Sequence, residues 1–154
     1  MDLGVILTQE RIDRLVGAGA WPNRIILDYL DDALARNPAR PAVTDYNGET
    51  NQSTTISYGE LDRLSRRLGL ALIELGVEPG DVVSLQLPNW WQFSALHLAC
   101  ARIGAITNPL MPIFRERELT FMLGFGESKV VIAPHSFRGF RYKPMIAITR
   151  KSKS

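Results

Sequence analysis

Between Asp81 and Ala133 the chain alternates apolar runs with helix-period segments, and no other stretch restricts the fold as tightly. Val82-Val83-Ser84-Leu85-Gln86-Leu87 is stopped by Pro88-Asn89, and a helical pattern from Trp90 to Ile103 follows, closed by Gly104. Ala105-Ile106-Thr107 comes next, then a loop holding Pro109 and Pro112, a short helical pattern from Arg115 to Leu123, and Val130-Val131-Ile132-Ala133. The order is strand, helix, strand, helix, strand. Strands this apolar have no wet face, and intervening helices are what join parallel strands. The expected fold class is therefore α/β, a partial doubly wound, mostly parallel sheet with flanking helices. Right-handed crossovers set its local topology. Ligands of such sheets bind outside the carboxyl ends of the strands. Pro88-Asn89, Asn108-Pro109 and Pro134-His135 are the loops at those ends.

Upstream, residues 8 to 16 have the pattern of a short amphipathic helix, broken by Gly17-Ala18-Gly19-Ala20-Trp21-Pro22. From Asn23, Leu27, Leu30 and Leu34 recur at helical spacing until Asn37-Pro38. Residues 41 to 45 and 54 to 57 flank Asn47-Gly48 and predict a loose hairpin. Ser57 and Glu60 then have the spacing of a capping box. They open a helix whose stripe is predicted to be Leu61, Leu64, Leu68, Leu72 and Leu75, ending at Gly76. Three regions result: an arm over residues 1–22, a packed domain over 23–140, and a basic tail over 141–154 that is expected to be disordered.

A length of 154 residues with 45% hydrophobic content suits one core. The net charge of +2 hides an asymmetry, because residues 1–140 carry 13 basic and 16 acidic side chains while residues 141–154 carry five bases and no acid. Basic character confined to a tail does not make the body a nucleic-acid binder, which needs cations clustered on one face. No run of roughly eighteen uncharged apolar residues occurs, so no membrane-spanning helix is expected. The early charges Glu10, Arg11, Asp13 and Arg14 argue against a signal peptide. A single cysteine, Cys100, forms no internal disulfide, and a reducing, cytoplasmic location is expected.

Few residues stand out as chemical groups. Gly124-Phe125-Gly126-Glu127-Ser128-Lys129 has the residue types of a phosphate loop, but it lacks the spacing and precedes a strand, so it reads as a helix terminator and turn. His97 reads as a partly buried structural histidine, His135 as a solvated loop residue, and Cys100 as a small buried hydrophobe. Two histidines and one cysteine at unrelated spacing do not compose a zinc site. Trp90, Trp91 and Phe93 are expected to pack the core more than to line an acyl pocket. No catalytic residue and no metal ligand is assigned. Asn89 and Asn108 are the cofactor-binding candidates, each with a plainer role: Asn89 as a helix N-cap and Asn108 as a turn residue before Pro109.

Four ordered segments carry a resemblance: Thr55-Ile56-Ser57-Tyr58-Gly59-Glu60-Leu61, then Leu75-Gly76-Val77-Glu78-Pro79-Gly80-Asp81-Val82-Val83, then Leu87-Pro88-Asn89, then Ala101-Arg102-Ile103-Gly104-Ala105-Ile106-Thr107-Asn108-Pro109-Leu110. In that order they resemble the opening of AMP-forming acyl-CoA synthetases of the adenylate-forming superfamily, over residues 21 to 140. The wording is most similar to medium-chain and alicyclic acid CoA ligases such as cyclohexanecarboxylate-CoA ligase. The resemblance implies the start of a large N-terminal domain. In the full-length parent it implies a carboxylic acid substrate, ATP, Mg2+ and coenzyme A, with an acyl-adenylate formed before the thioester.

The family's Ser/Thr/Gly-rich phosphate loop, its nucleotide-binding Thr-Glu pair and its catalytic lysine have no counterpart in these 154 residues. Lys129, Lys143, Lys151 and Lys153 stand in the wrong context to be that lysine. The chain is therefore expected to be a truncated, inactive piece that binds no cofactor itself, whose last residues leave the family pattern. It is also expected to expose a sheet edge and to self-associate there. Two other readings stay open: a small noncatalytic Rossmann-like binding module, and a protein that binds nucleic acid or anionic membrane through its basic tail.

Overall fold

The computed structural model describes residues 7–142 and 145. The first helix, α1 (Gln9–Gly17), is capped by Thr8 and buries none of its residues. In α2 (Ile26–Arg36) the Asp28 carboxylate accepts the Ile25 N–H at 2.8 Å, satisfying one of the amides a helix start leaves unpaired. The hairpin pairs β1 (Pro41–Asn47) with β2 (Gln52–Ser57) in antiparallel register, Asp45 opposite Thr54. The polar turn between them places Asn51 at φ 57°, a left-handed position that asparagine tolerates.

Helix α3 (Tyr58–Glu74) starts on the predicted capping box. Ser57 Oγ accepts the Glu60 N–H and Glu60 Oε2 accepts the Ser57 N–H. Its buried face is Leu61, Ser65, Gly69 and Leu72, with Leu64 and Leu68 partly covered. Leu75 does not belong to it: this residue follows the helix and is 65% exposed. The small residues at 65 and 69 allow close approach to the next helix, α4 (Trp91–Ile103). A Cβ at Gly69 would lie only 3.3 Å from Ile103 Cγ2.

Three parallel strands form the central sheet in the order β4 (Ile106–Pro109), β3 (Val82–Leu85), β5 (Ser128–Ile132). Val83 lies opposite Thr107 on one side and Val130 on the other. Helix α4 joins β3 to β4, and α5 (Glu116–Phe125) carries the chain back past β3 to β5. Because right-handed crossovers in opposite directions land on opposite faces, α4 and α5 sandwich the sheet. The doubly wound α/β arrangement is thus present, built here from three strands. A two-residue hairpin, β6 (Ser136–Phe137) and β7 (Phe140–Arg141), closes the described chain.

The two faces are filled differently. Val83, Leu85 and Leu87 point to the α3/α4 side and pack with Leu72, Leu96, Ala99 and Cys100. On the α5 side Leu110, Leu119 and Leu123 pack with Tyr142 and Met145. The alternate residues of β3 and its extension on that side are polar. Ser84 Oγ shares a 2.6 Å hydrogen bond with Ser128 Oγ and accepts from Asn108 Nδ2 at 2.9 Å. Gln86, fully buried, donates to the Met111 and Phe114 carbonyls and so fastens the loop that leads into α5. A third cluster joins the hairpin to the helices through Leu30, Ile56, Leu61, Ala95 and Leu98.

Packed structure continues past residue 140. Arg141 lies in β7, and Tyr142 is buried with its hydroxyl donating to the Pro112 carbonyl at 2.9 Å. The rest of the basic stretch, Met145 aside, lies outside the described residues. Among the described residues β4 and β5 each pair with β3 alone, so both present an open edge, and Phe121 and Phe125 stack on each other while 69% and 76% exposed. No helix among the described residues is long and apolar enough to cross a membrane.

Candidate functional site

The direction of the chain reverses between β3 and β5, so the crevice beyond their carboxyl ends is the topological switch point of this sheet. The main chain pairs one step past β3, where the Gln86 N–H donates to the Ile132 carbonyl at 2.8 Å. Leu87 and Pro88 remain buried, Asn89 is exposed, and α4 begins. Its N-cap position is held by Trp90, not by Asn89, and no side chain of that local segment caps it. The cap comes from the hairpin: Asp45 Oδ2 accepts the Trp91 N–H at 2.8 Å across 46 positions of sequence. A carboxylate there meets both an unpaired amide and the positive end of the helix dipole. Asp45→Ala is accordingly expected to cost about 1–2 kcal/mol, read as a lowered thermal midpoint with unchanged far-ultraviolet dichroism; an unchanged midpoint would show that the bond contributes nothing.

A cavity of about 460 Å³ opens beside these strand ends, walled by Leu68, Leu87, Trp91, Leu96 and Ile132, with Arg67 also lining it. Gln92 lines it too, and its buried Oε1 has no hydrogen-bond partner among the described residues. Trp90 shares this wall and meets Phe137 edge-on at 5.8 Å, linking the β3–α4 loop to the hairpin after β5. The aromatic cluster therefore does two things: Trp91 packs against the hairpin core while facing the cavity, and Phe93 packs on the sheet-side core.

The other candidates fall into structural roles. Asn108 is a residue of β4, not of a turn, and its amide is spent on Ser84. That and the exposure of Asn89 place the two asparagines in different environments, and neither lines the switch-point cavity. His97 shares a 3.0 Å hydrogen bond between Nδ1 and Thr107 Oγ1, and its ring stacks on Phe93. His135 is exposed. Cys100 is buried, and burial pushes its thiol pKa up, away from the reactive thiolate. Gly126 caps α5, with Glu127 at φ 49°, so the glycine-containing segment is a helix end and turn. Lys129 pairs with Asp81 at 2.6 Å, at the amino end of β3 and away from the switch point. Lys129, and then the Glu78 N–H, hold the Asp81 carboxyl below its usual range.

The cavity lining is mainly apolar. Charge developing on a phosphoryl group needs amides, cations or a metal aimed at its oxygens. Here the lining supplies, among the described residues, one guanidinium, Arg67, and one orphaned buried acceptor, Gln92 Oε1, while the other two orphaned acceptors, Asp45 Oδ1 and Gln86 Oε1, lie outside it. Among the described residues no three carboxylate, imidazole or thiol side chains converge on a point that a metal ion could occupy. Asp45, Gln86, Ser84 and Ser128 were not legible as working residues, and Asn108 was legible only as a ligand candidate or turn residue and not as the partner of Ser84. The local signal of Asp45, Ser84 and Gln86 is a polar side chain inside a strand-like run, where Asp is disfavoured.

Residues 30–153 match the sequence profile of the AMP-binding enzyme family. The chain belongs to that family. The match runs through residue 153, past the boundary expected at residue 140. Over 123 residues this AMP-binding chain is 33% identical to the medium-chain fatty-acid–CoA ligase of Escherichia coli, covering 80% of the chain and 21% of the ligase. It is 38% identical over 128 residues to the salicyl-AMP ligase / salicyl-S-ArCP synthetase of Mycobacterium tuberculosis, covering 83% of the chain and 22% of that enzyme. The chain spans about a fifth of the length of these curated relatives. Among solved structures it resembles the inhibitor-bound N-terminal domain of FACL13 from Mycobacterium tuberculosis, with TM-score 0.62, 27% identity, 79% of this chain and 28% of that one. The acyl-CoA synthetase of Brucella canis gives TM-score 0.61 at 28% identity, covering 68% of this chain and 19% of the other.

Proposed function

We propose that this chain is the opening portion of the large domain of an ATP-dependent ligase that activates a carboxylic acid as its adenylate and passes the acyl group to coenzyme A, and that these 154 residues alone do not catalyse either step. The observation that carries the proposal is the family match over residues 30–153, joined to a switch-point cavity whose walls are mainly apolar and whose lining includes, among the described residues, a single cation, Arg67. Within the ligase the segment supplies a sheet edge and apolar walls, and the phosphate-holding groups come from elsewhere in the protein. The acid is a medium-chain or alicyclic one, supported by the medium-chain relative. The salicyl-activating relative, at 38% identity, makes an aryl acid the competing substrate. A cytoplasmic location belongs to the same proposal, supported by the single buried thiol.

Purified chain is expected to give no ATP–pyrophosphate exchange with octanoate, cyclohexanecarboxylate or salicylate. A fusion in which it replaces the aligned first fifth of the Escherichia coli relative, provided the fusion melts cooperatively, is expected to exchange with octanoate. Exchange by the isolated chain above a heat-killed control, or none by a folded fusion with any of the three acids, overturns the proposal.

A further inference from the structure

Two depressions on the outer surface share Tyr29 and Tyr58 as a common wall. The first, about 330 Å³, lies between α2, the start of α3 and the middle of α4, and is lined by Ile26, Leu30, Phe93 and Leu98 with His97 among them. The second, about 250 Å³, is lined by Arg36 and Arg40 together with Asn37 and Asp32. Neither has a lining residue in common with the switch-point cavity.

The charges of the second depression are unbalanced. The Asp32 carboxylate is already paired with Arg24 at 2.7 Å, whereas Arg36 and Arg40 enter no ion pair among the described residues. Arg24 is fixed in turn by its hydrogen bond to the Asp28 carbonyl and by stacking over the Tyr29 ring, 4.4 Å from the centroid. Two guanidinium groups thus remain beside one neutralised acid. A planar guanidinium matches a carboxylate or phosphate in two-point contact, and two of them beside one pocket favour a negatively charged group. The first depression has the complementary character. Its walls are aliphatic and aromatic, and His97 is held rigid by Thr107 and by stacking on Phe93. A cavity of roughly 150 Å³ accepts benzene, so 330 Å³ takes a larger ring system or a short alkyl chain.

We propose that the paired depressions form a binding site for an amphipathic organic anion, its apolar body between Leu30 and Phe93 and its carboxylate or phosphate head on Arg36 and Arg40. The site rests on these two surfaces alone and stands whether or not the ligase proposal does. It is built from an apolar pocket with few polar groups next to a cationic one, the composition that small-molecule sites share.

Titration of the full chain with 2-naphthoate, 2-naphthyl phosphate and 2-naphthalenemethanol, followed by amide NMR, tests it. At least one of the two anions is expected to bind tenfold or more tightly than the alcohol, and the stronger of them identifies the head group. The largest shifts are expected at Tyr29, Arg36, Tyr58 and His97. The Arg36→Ala/Arg40→Ala double variant, both positions being exposed, is expected to melt nearly as before and to bind the anions no better than the alcohol. Equal affinity for all three probes overturns the proposal, as does an anion preference that survives in the double variant. Shifts centred on Trp90 and Trp91 would also overturn it. So would shifts at Tyr29 and His97 that follow protein concentration and ignore ligand, since a second copy of the chain would then be the occupant.

Discussion

Leu72→Asp is expected to unfold the chain, while Leu75→Asp, three positions on in the same predicted stripe, is expected to leave its stability within about 0.5 kcal/mol. Leu72 is 2% exposed and packs among Leu85, Ala99 and Cys100, where α3 meets the sheet and α4. Losing a buried leucine side chain costs about 2–5 kcal/mol, and an unpaired carboxylate in its place adds several more or forces protonation. A domain of ordinary stability has about 5–15 kcal/mol in total. Leu75 sits beyond the last turn with its side chain in solvent, so an acid there strands nothing. Leu68, partly covered and facing the switch-point cavity, falls between the two. Urea unfolding followed by circular dichroism decides it. Similar midpoints for the variants at 72 and 75 would show that the α3 packing described above is wrong.

The second large effect lies in the polar seam between α3 and α4. Arg102 Nη2 is hydrogen-bonded to Asp62 Oδ1, and its Nε donates to Ser65 Oγ at 2.9 Å. Ser65 Oγ donates in turn to the Asp62 carbonyl, and Arg66 Nε reaches both oxygens of the same carboxylate. The Arg102 side chain is 15% exposed. Asp62→Ala would leave that guanidinium buried without its counter-charge, and a loss of about 3 kcal/mol is expected. Asp62→Leu combined with Arg102→Met removes both charges and keeps the volume, so it is expected to recover most of the loss. A double-mutant cycle in urea measures the coupling directly. If the double variant is as unstable as Asp62→Ala, the loss comes from the missing hydrogen bonds of the seam and not from a stranded charge.

Much of this architecture is written in short-range pattern. The Ser57–Glu60 capping box, the helical spacing through Leu72, the Gly104 stop at φ 72° and the alternation of apolar runs with helices each depend on residues a few positions apart. Local sterics and amide satisfaction decide such features, so the strand–helix order and the parallel sheet could be read in advance. The four segments that resemble acid-CoA ligases lie within that same framework, and residues 30–153 match the family.

Tertiary structure decided the rest, because it depends on partners far apart in the chain. Asn89 has the residue type of a helix cap, yet the amide of Trp91 is satisfied by Asp45. Asn108 precedes a proline, as turn residues often do, yet β3 pairs with Ile106 through Pro109 and draws it into the sheet. Ser84 and Gln86 interrupt an apolar run and are buried all the same, since Ser128, Asn108 and two loop carbonyls meet them there. The sequence by itself determined the order of the main helices and strands and most of the apolar face of α3. Only the packed structure decided which polar group meets which, and which cations remain unpaired at the surface. Hydrogen bonds and ion pairs act over a few ångströms, and nothing in the linear order says that residues 45 and 91, or 62 and 102, will come that close.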